Sequence, residues 1–183
     1  MSFKVALIGL PGSGKGTQGQ RLAVHLGVPH ISIGEVTREL LKGDTELAAR
    51  IRNYFAQSVE WRPLADDLAY EVMKTATRGL DGWVLDGFPR NLNQAMMLDA
   101  IDVVMYLRLS EEESFRRMLA RARPDDTPEI IRRRFEVERA RLDPLLGYCR
   151  SRWKVIEVDA VGSIDEVWQR ILTEGKCDAA DYI

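Results

Sequence analysis

The sequence predicts an α/β protein, a doubly wound, five-stranded parallel sheet covered on both faces by helices. Three observations carry that expectation. Short apolar runs alternate along the chain with segments of helical periodicity, as strands joined by right-handed crossovers do. The first run enters a glycine-rich loop and then a helix, which places that loop at the carboxyl end of a buried strand. A length of 183 residues argues for one main domain, residues 1–183, with insertions.

The elements follow in order. Residues 4–10, KVALIGL, are a continuous apolar run, the look of a strand buried on both faces. Residues 15–26 are helical in pattern, Gly27 ends that helix, and residues 28–32, VPHIS, read as a short second strand. Residues 34–78 keep helical periodicity with breaks at Gly43 and Pro63, which describes an insertion of small helices. The third strand is GWVLDG at 82–87, the fourth VVMYLRL at 103–109 and the fifth KVIEV at 154–158. Ser110 with Glu113, and Ser163 with Glu166, match the S-x-x-E capping box, and each precedes apolar residues at helical spacing: Phe115, Met118 and Leu119, then Ile164, Val167, Trp168 and Ile171. Residues 121–129, RARPDDTPE, are loop-like, with Thr127 as N-cap and Pro128 at the first helical position of the next helix.

Composition narrows the function classes. The 26 basic and 28 acidic residues leave a net charge of −2, so no global field draws in nucleic acid or a membrane, and neither is an expected partner. Cys149 and Cys177 lie far apart with no CxxC or histidine partner, which signals neither a disulfide framework nor a zinc site. A cytoplasmic setting is the expectation, supported by the lack of an 18-residue apolar stretch or a cleavable leader. Twenty of the 26 basic residues are arginine, and nine of these fall between Arg116 and Arg141. Arginine binds phosphate bidentately and stays charged, although any single arginine here also fits a solvated helix face.

The stretch GLPGSGKGTQ, residues 9–18, nearly fits the phosphate-loop pattern G-x-x-x-x-G-K-[ST], with Gly9, Gly14 and Lys15 in place. Small residues between a strand and a helix let backbone N–H groups converge on phosphate oxygens, and the helix dipole favours the anion. A glycine turn without a ligand is the competing reading. Gly16 stands where a metal-binding hydroxyl is usual, so either Thr17 does that work or the nucleotide and water hold the metal. Asp86 ends the third strand in DGFPR and suits the orientation of Mg²⁺-bound water, though a strand-end cap is also open to it. The segment ISIGEVTR, residues 31–38, sets Gly34 for close approach and Arg38 one helical turn inside. Carboxyl ends of parallel strands line one crevice, so these three loops face a common cleft in which two phosphate groups can meet.

Together these residues resemble the adenylate kinase family of nucleoside monophosphate kinases, over nearly the whole chain. GLPGSGKGTQ is similar to its G-x-P-G-[AS]-G-K-G-T-Q loop, in which glycine after lysine is normal; LDGFPRNLNQ is similar to D-G-F-P-R-x-x-x-Q; and RARPDD with Arg134 resembles its short lid and following helix. The resemblance implies a P-loop NTPase-type sheet with a helical monophosphate-binding insertion at about 32–64 and a short lid at about 121–128. It implies Mg²⁺·ATP + AMP ⇌ 2 ADP, carried out by a monomer. Gly12, Ser13, Gly14, Lys15, Gly16 and Thr17 correspond to the ATP phosphate cradle, Arg121 to an ATP-phosphate arginine, Arg117 to a guanidinium stacked on adenine, and Gly162 to a backbone contact at the adenine edge. Arg38, Gly87, Arg90 and Gln94 fall where the family binds AMP, and Arg123 and Arg134 where arginines surround the phosphate in transfer. Lys15, Arg90, Arg121, Arg123 and Arg134 are the implied catalytic set, with Asp86 meeting the metal through water. The attacking monophosphate oxygen is already an anion, so catalysis reduces to alignment and charge neutralisation without a general base. His25 and His30 are read as structural.

The chain also departs from the family pattern. Ile33 in Ser32-Ile33-Gly34-Glu35 replaces the threonine of S-T-G-D near the base, so Ile33→Thr is expected to improve AMP use by one neutral hydrogen bond, about 0.5 to 1.5 kcal/mol. Gln94 favours adenine, because a carboxamide can read its edge. SVEWRPLADD, residues 58–67, departs from G-x-[LI]-V-x-D, and Arg62 and Leu64 are placed there as contacts to base and ribose. No cysteine tetrad lies near the lid, so no zinc is expected. A UMP, CMP or dAMP kinase on the same fold is the first alternative. A nucleotide-binding regulator with little turnover is the second, and the presence of Lys15 and the lid arginines weighs against it.

Overall fold

The structure is a computed structural model that describes residues 3–57, 61–123 and 126–175. Ser58, Val59 and Glu60 of the insertion, Pro124 and Asp125 of the expected lid, and Cys177 lie outside the described residues. Five strands form one parallel sheet: β1 (Lys4–Ile8), β2 (His30–Ser32), β3 (Trp83–Asp86), β4 (Val103–Arg108) and β5 (Lys154–Asp159), in the order β2-β3-β1-β4-β5. The order reverses direction at β1, and the carboxyl ends of β1, β2 and β3 come level there: Leu7 pairs with Asp86 and Asp86 with Ser32. That is the edge at which ligands bind in open α/β sheets.

Side chains alternate along each strand, as a period of two requires. Ala6, Ile8, Leu85 and Val104 point to one face and Val5, Leu7, Val84, Met105 and Leu107 to the other. The second face is covered by α1 (Lys15–Leu26) and α8 (Ile164–Gly175), which contribute Leu22, Ala23, Val167 and Ile171. The first face is covered by α2 (Ile33–Leu40), α3 (Glu46–Ala56), α4 (Asp66–Thr77), α5 (Leu92–Met96) and the C-terminal half of α7 (Pro128–Arg152). Leu22 and Ile171 are fully buried, each worth about 1.5 to 3 kcal/mol relative to exposure. The N-terminal half of α7 packs instead on α6 (Glu111–Arg121) through Met118, Ile131 and Phe135.

Element ends follow the caps read from sequence, with instructive differences. Gly27 closes α1 in the left-handed region at φ 67°. Thr127 Oγ1 accepts from the Ile130 N–H at 3.3 Å, with Pro128 next to it. Ser163 and Glu166 form a reciprocal capping box, with Glu166 Oε2 accepting from the Ser163 N–H at 2.7 Å. The other box is half made. Ser110 Oγ accepts from the Glu113 N–H, but the Glu113 carboxylate turns to Arg116 and Arg117. β1 stops two residues short of the predicted strand, because Gly9 adopts φ 151° and starts the loop.

Candidate active site

The loop between β1 and α1 owes its shape to residues without side chains. Gly12 sits at φ 85°, and a Cβ there would lie 2.9 Å from the Ser114 carbonyl oxygen. A Cβ on Gly9 would lie 2.5 Å from the Leu107 carbonyl oxygen. No side chain caps α1, whose N-cap is the left-handed Gly14, so its first N–H groups and positive dipole end face the cleft. Lys15 is half-buried and donates to the Gly9 carbonyl at 2.7 Å and the Leu10 carbonyl at 2.9 Å. Desolvation pulls its ammonium below the usual lysine range, while the charge of Asp86 works in the opposite direction. The Asp86 carboxylate faces the start of α1, with Oδ2 3.6 Å from where a Gly16 Cβ would be.

The cleft in front of this loop encloses about 460 Å³. It is lined by Gly12, Gly14, Lys15, Gly16 and Thr17 of the loop, by Arg38 of α2, and by Asp86, Gly87 and Arg90 after β3. Arg117, Arg121, Arg123 and Arg134 reach it from the other side. The structure thus brings together thirteen of the residues singled out from sequence. Six others do not line it: Ser13 is buried in the loop, Ile33 packs in the core with 5% exposure, and Leu64 packs against that core. Arg62 lies over the Tyr54 ring at 3.7 Å, Gln94 is buried in α5 with 2% exposure, and Gly162 accepts from Arg117 Nη2 at 3.3 Å behind the cleft wall.

The arginines are held by acids. Arg117 Nε donates to Glu113 at 2.7 Å, and the hydrogen bonds of Arg116 and Arg117 hold the Glu113 carboxyl down at about 2. Asp126, its side chain fully buried, accepts from Arg121 Nε at 2.5 Å and from Arg134 Nη1 at 3.1 Å. Burial alone would raise the Asp126 carboxyl, but hydrogen bonding and charge from Arg121, with the charge of Arg134, hold it below the usual carboxylate range. Sequence spacing carries no signal that one acid, Asp126, holds both Arg121 of α6 and Arg134 of α7.

Trp61 is a second omission. It lines the cleft with the Arg134 guanidinium 5.1 Å from its ring, a cation–π contact joining the segment before α4 to α7. An aromatic residue in an otherwise polar loop departure was the available signal. Among the described residues no group of three histidine, cysteine or acidic side chains is placed to hold a metal ion. The Asp86 carboxylate at the start of α1 suits a cation that arrives with ligands of its own.

Comparison with known proteins gives one consistent outcome. The adenylate kinase family model matches residues 7–154. The chain is 40% identical to an adenylate kinase of Mycolicibacterium paratuberculosis, covering 93% of this chain and 97% of the relative. It is 38% identical to an adenylate kinase of Thermobifida fusca, over 97% of this chain and 100% of that protein. A protein of Nostoc sp. described as adenylate kinase 1 is also 38% identical, over 90% and 94% of the two chains. A glycine loop, a half-buried lysine, a strand-end aspartate and several arginines share one cleft, and by these matches the chain belongs to the adenylate kinase family.

Proposed function

We propose that the protein transfers the terminal phosphoryl group of Mg²⁺-bound ATP reversibly to AMP, yielding two ADP. The observation that carries this reading is the convergence of Lys15, Arg38, Arg90, Arg121, Arg123 and Arg134 on one cleft with a glycine loop, where cations outnumber the carboxylates of Glu35, Asp86 and Glu138. Six cations suit two polyanionic substrates whose facing phosphates repel each other, and neither cysteine nor histidine is among the described residues that line the cleft. Phosphoryl transfer asks for positioning and charge stabilisation of this kind.

Residues 12–17 bind the donor phosphates by backbone N–H groups, and Arg117 and Gly162 border the donor base. Arg38, Gly87 and Arg90 bind the acceptor phosphate, Gln94 meets the acceptor base, and Arg62 and Leu64 belong to the acceptor insertion at about 32–64. Arg123 and Arg134 neutralise the phosphoryl group as it moves, and the segment at about 121–128 closes as a lid. Mg²⁺ bound with ATP would be held by Asp86 through water, with Thr17 beside it; it supplies charge neutralisation at the phosphates. A monomer acting in the cytoplasm agrees with this reading, and among the described residues no helix is long and apolar enough to cross a membrane. A coupled assay of AMP, dAMP, UMP, CMP and GMP with ATP as donor tests it. AMP is expected to give the highest kcat/KM, and a preference for a pyrimidine nucleotide overturns the assignment of the acceptor.

A further inference from the structure

Behind Arg90 lies a hydrogen-bond network that joins the starts of α4 and α5. Asp66 is the first residue of α4, and its Oδ1 accepts from Asn91 Nδ2 at 2.8 Å and from Gln94 Nε2 at 2.8 Å. Gln94 Oε1 accepts from the Arg90 backbone N–H at 2.8 Å, and the Gln94 backbone N–H donates to Asn91 Oδ1 at 2.9 Å. The carboxamide of Gln94 is therefore clamped at both ends, its nitrogen against a carboxylate and its oxygen against an N–H. Turned by 180°, it would set Oε1 against Asp66 Oδ1 and Nε2 against the Arg90 N–H. Two hydrogen bonds would be lost inside the protein, one of them to a charged acceptor. In the clamped orientation one N–H of Nε2 and one lone pair of Oε1 are not used by these bonds.

We propose that Asp66 is a positioning residue for base selection. By locking Gln94 in one orientation, it makes the site accept bases with an amino group beside an unprotonated ring nitrogen and reject bases with a keto oxygen beside a ring N–H. The inference rests on the reading that Gln94 meets the acceptor base. Adenine and cytosine carry an exocyclic amino donor, whereas guanine and uracil carry a keto acceptor in its place. A carboxamide free to turn would serve both patterns, and one held by a carboxylate serves only the first. The lock thus sorts nucleotides by amino against keto character rather than by ring size. A purely mechanical role is also built into the network, since Asp66 and Asn91 tie the start of α4 to the start of α5, so the test must separate the two.

AMP and IMP differ only in the amino or keto group and the neighbouring ring proton. The experiment measures kcat/KM for both in the wild type, Asp66→Ala, Asp66→Leu and Gln94→Ala, with thermal midpoints alongside. The wild type is expected to favour AMP, and the AMP-to-IMP ratio to fall roughly tenfold in both Asp66 variants, through KM more than kcat, as IMP gains and AMP loses. Asp66→Leu keeps side-chain bulk while removing the acceptor, so it decides between the two roles if Asp66→Ala fails to fold. An unchanged ratio in the Asp66 variants, whatever their midpoints, makes Asp66 a tether between helices and overturns the proposal. If Gln94→Ala keeps the wild-type ratio, the reading of Gln94 itself fails and the lock with it. If Gln94→Ala loses the preference while the Asp66 variants keep it, that reading stands and only the lock is overturned.

Discussion

At the end of the cleft proposed for phosphate, residues 9–17 supply a lining from one contiguous stretch, shaped by Gly9 and Gly12, where no Cβ would fit. The base end that we propose for the acceptor side is assembled otherwise: Trp61 and Arg62 from the segment before α4, Asp66 from α4 and Gln94 from α5. Phosphate is recognised by charge and N–H direction, which a short loop can provide alone. A base is recognised by the order of donors and acceptors on its edge, which needs side chains held in one rotamer by neighbours from elsewhere. Substitutions at the phosphate end should therefore change rate, and substitutions at the base end should change choice.

The most severe break of that comparison is Lys15→Met. Lys15 is desolvated, lies against the loop carbonyls and meets charge that moves during transfer, so kcat is expected to fall by about 10³ with the fold retained. Steady-state kinetics beside circular dichroism check this, and near-normal turnover removes the phosphate loop from the mechanism. Arg123→Ala and Arg134→Ala come next, each expected to lower kcat by roughly 10² with a smaller change in ATP affinity by calorimetry. Equal losses of ATP binding and turnover would make either arginine a ground-state binder.

Asp126→Asn probes how the phosphate end is held before substrate arrives. Removing the charge that Arg121 and Arg134 share is expected to cost roughly 1.5 to 3 kcal/mol at pH 7, read from urea unfolding. The folded-state carboxyl is depressed, so its contribution is full above the unfolded value, near pH 4, and is lost as pH falls through the lower folded value. Wild type and variant should then converge on acidification, and a gap independent of pH would contradict the ion-pair account.

Ile33→Thr is the smallest effect and sharpens the base end. From sequence alone the change is expected to improve AMP use, but Ile33 is buried among core residues and does not line the cleft. With that burial, the variant is expected to move kcat/KM for AMP by less than about threefold and to lower stability by about 1 kcal/mol. A gain of about tenfold would instead put the position 33 hydroxyl in contact with the base.

Much of the frame was legible in the sequence because its causes are local. Apolar runs bounded by glycine and proline located the five strands, and Gly27, Thr127 and Ser163 marked helix ends through bonds to residues a few positions away. The glycine loop was legible for the same reason, since steric demands at Gly9 and Gly12 are written in the residues themselves. Glu113 shows the limit. Its spacing from Ser110 fits a capping box, yet two arginines on the same helix offered its carboxylate stronger, charged partners.

What the sequence by itself determined is the strand and helix succession, the phosphate loop, and the set of cations gathered on one cleft. Tertiary structure alone decided which acid holds which cation and which side chain faces the cleft. Asp126 joins Arg121 and Arg134 because α6 and α7 pack through Met118, Ile131 and Phe135, and Trp61 meets Arg134 across the cleft. Asp66 reaches Gln94 because α4 and α5 cover the same face of the sheet. Such pairings are set by the packing of whole elements at long sequence separation, where spacing and propensity carry no signal.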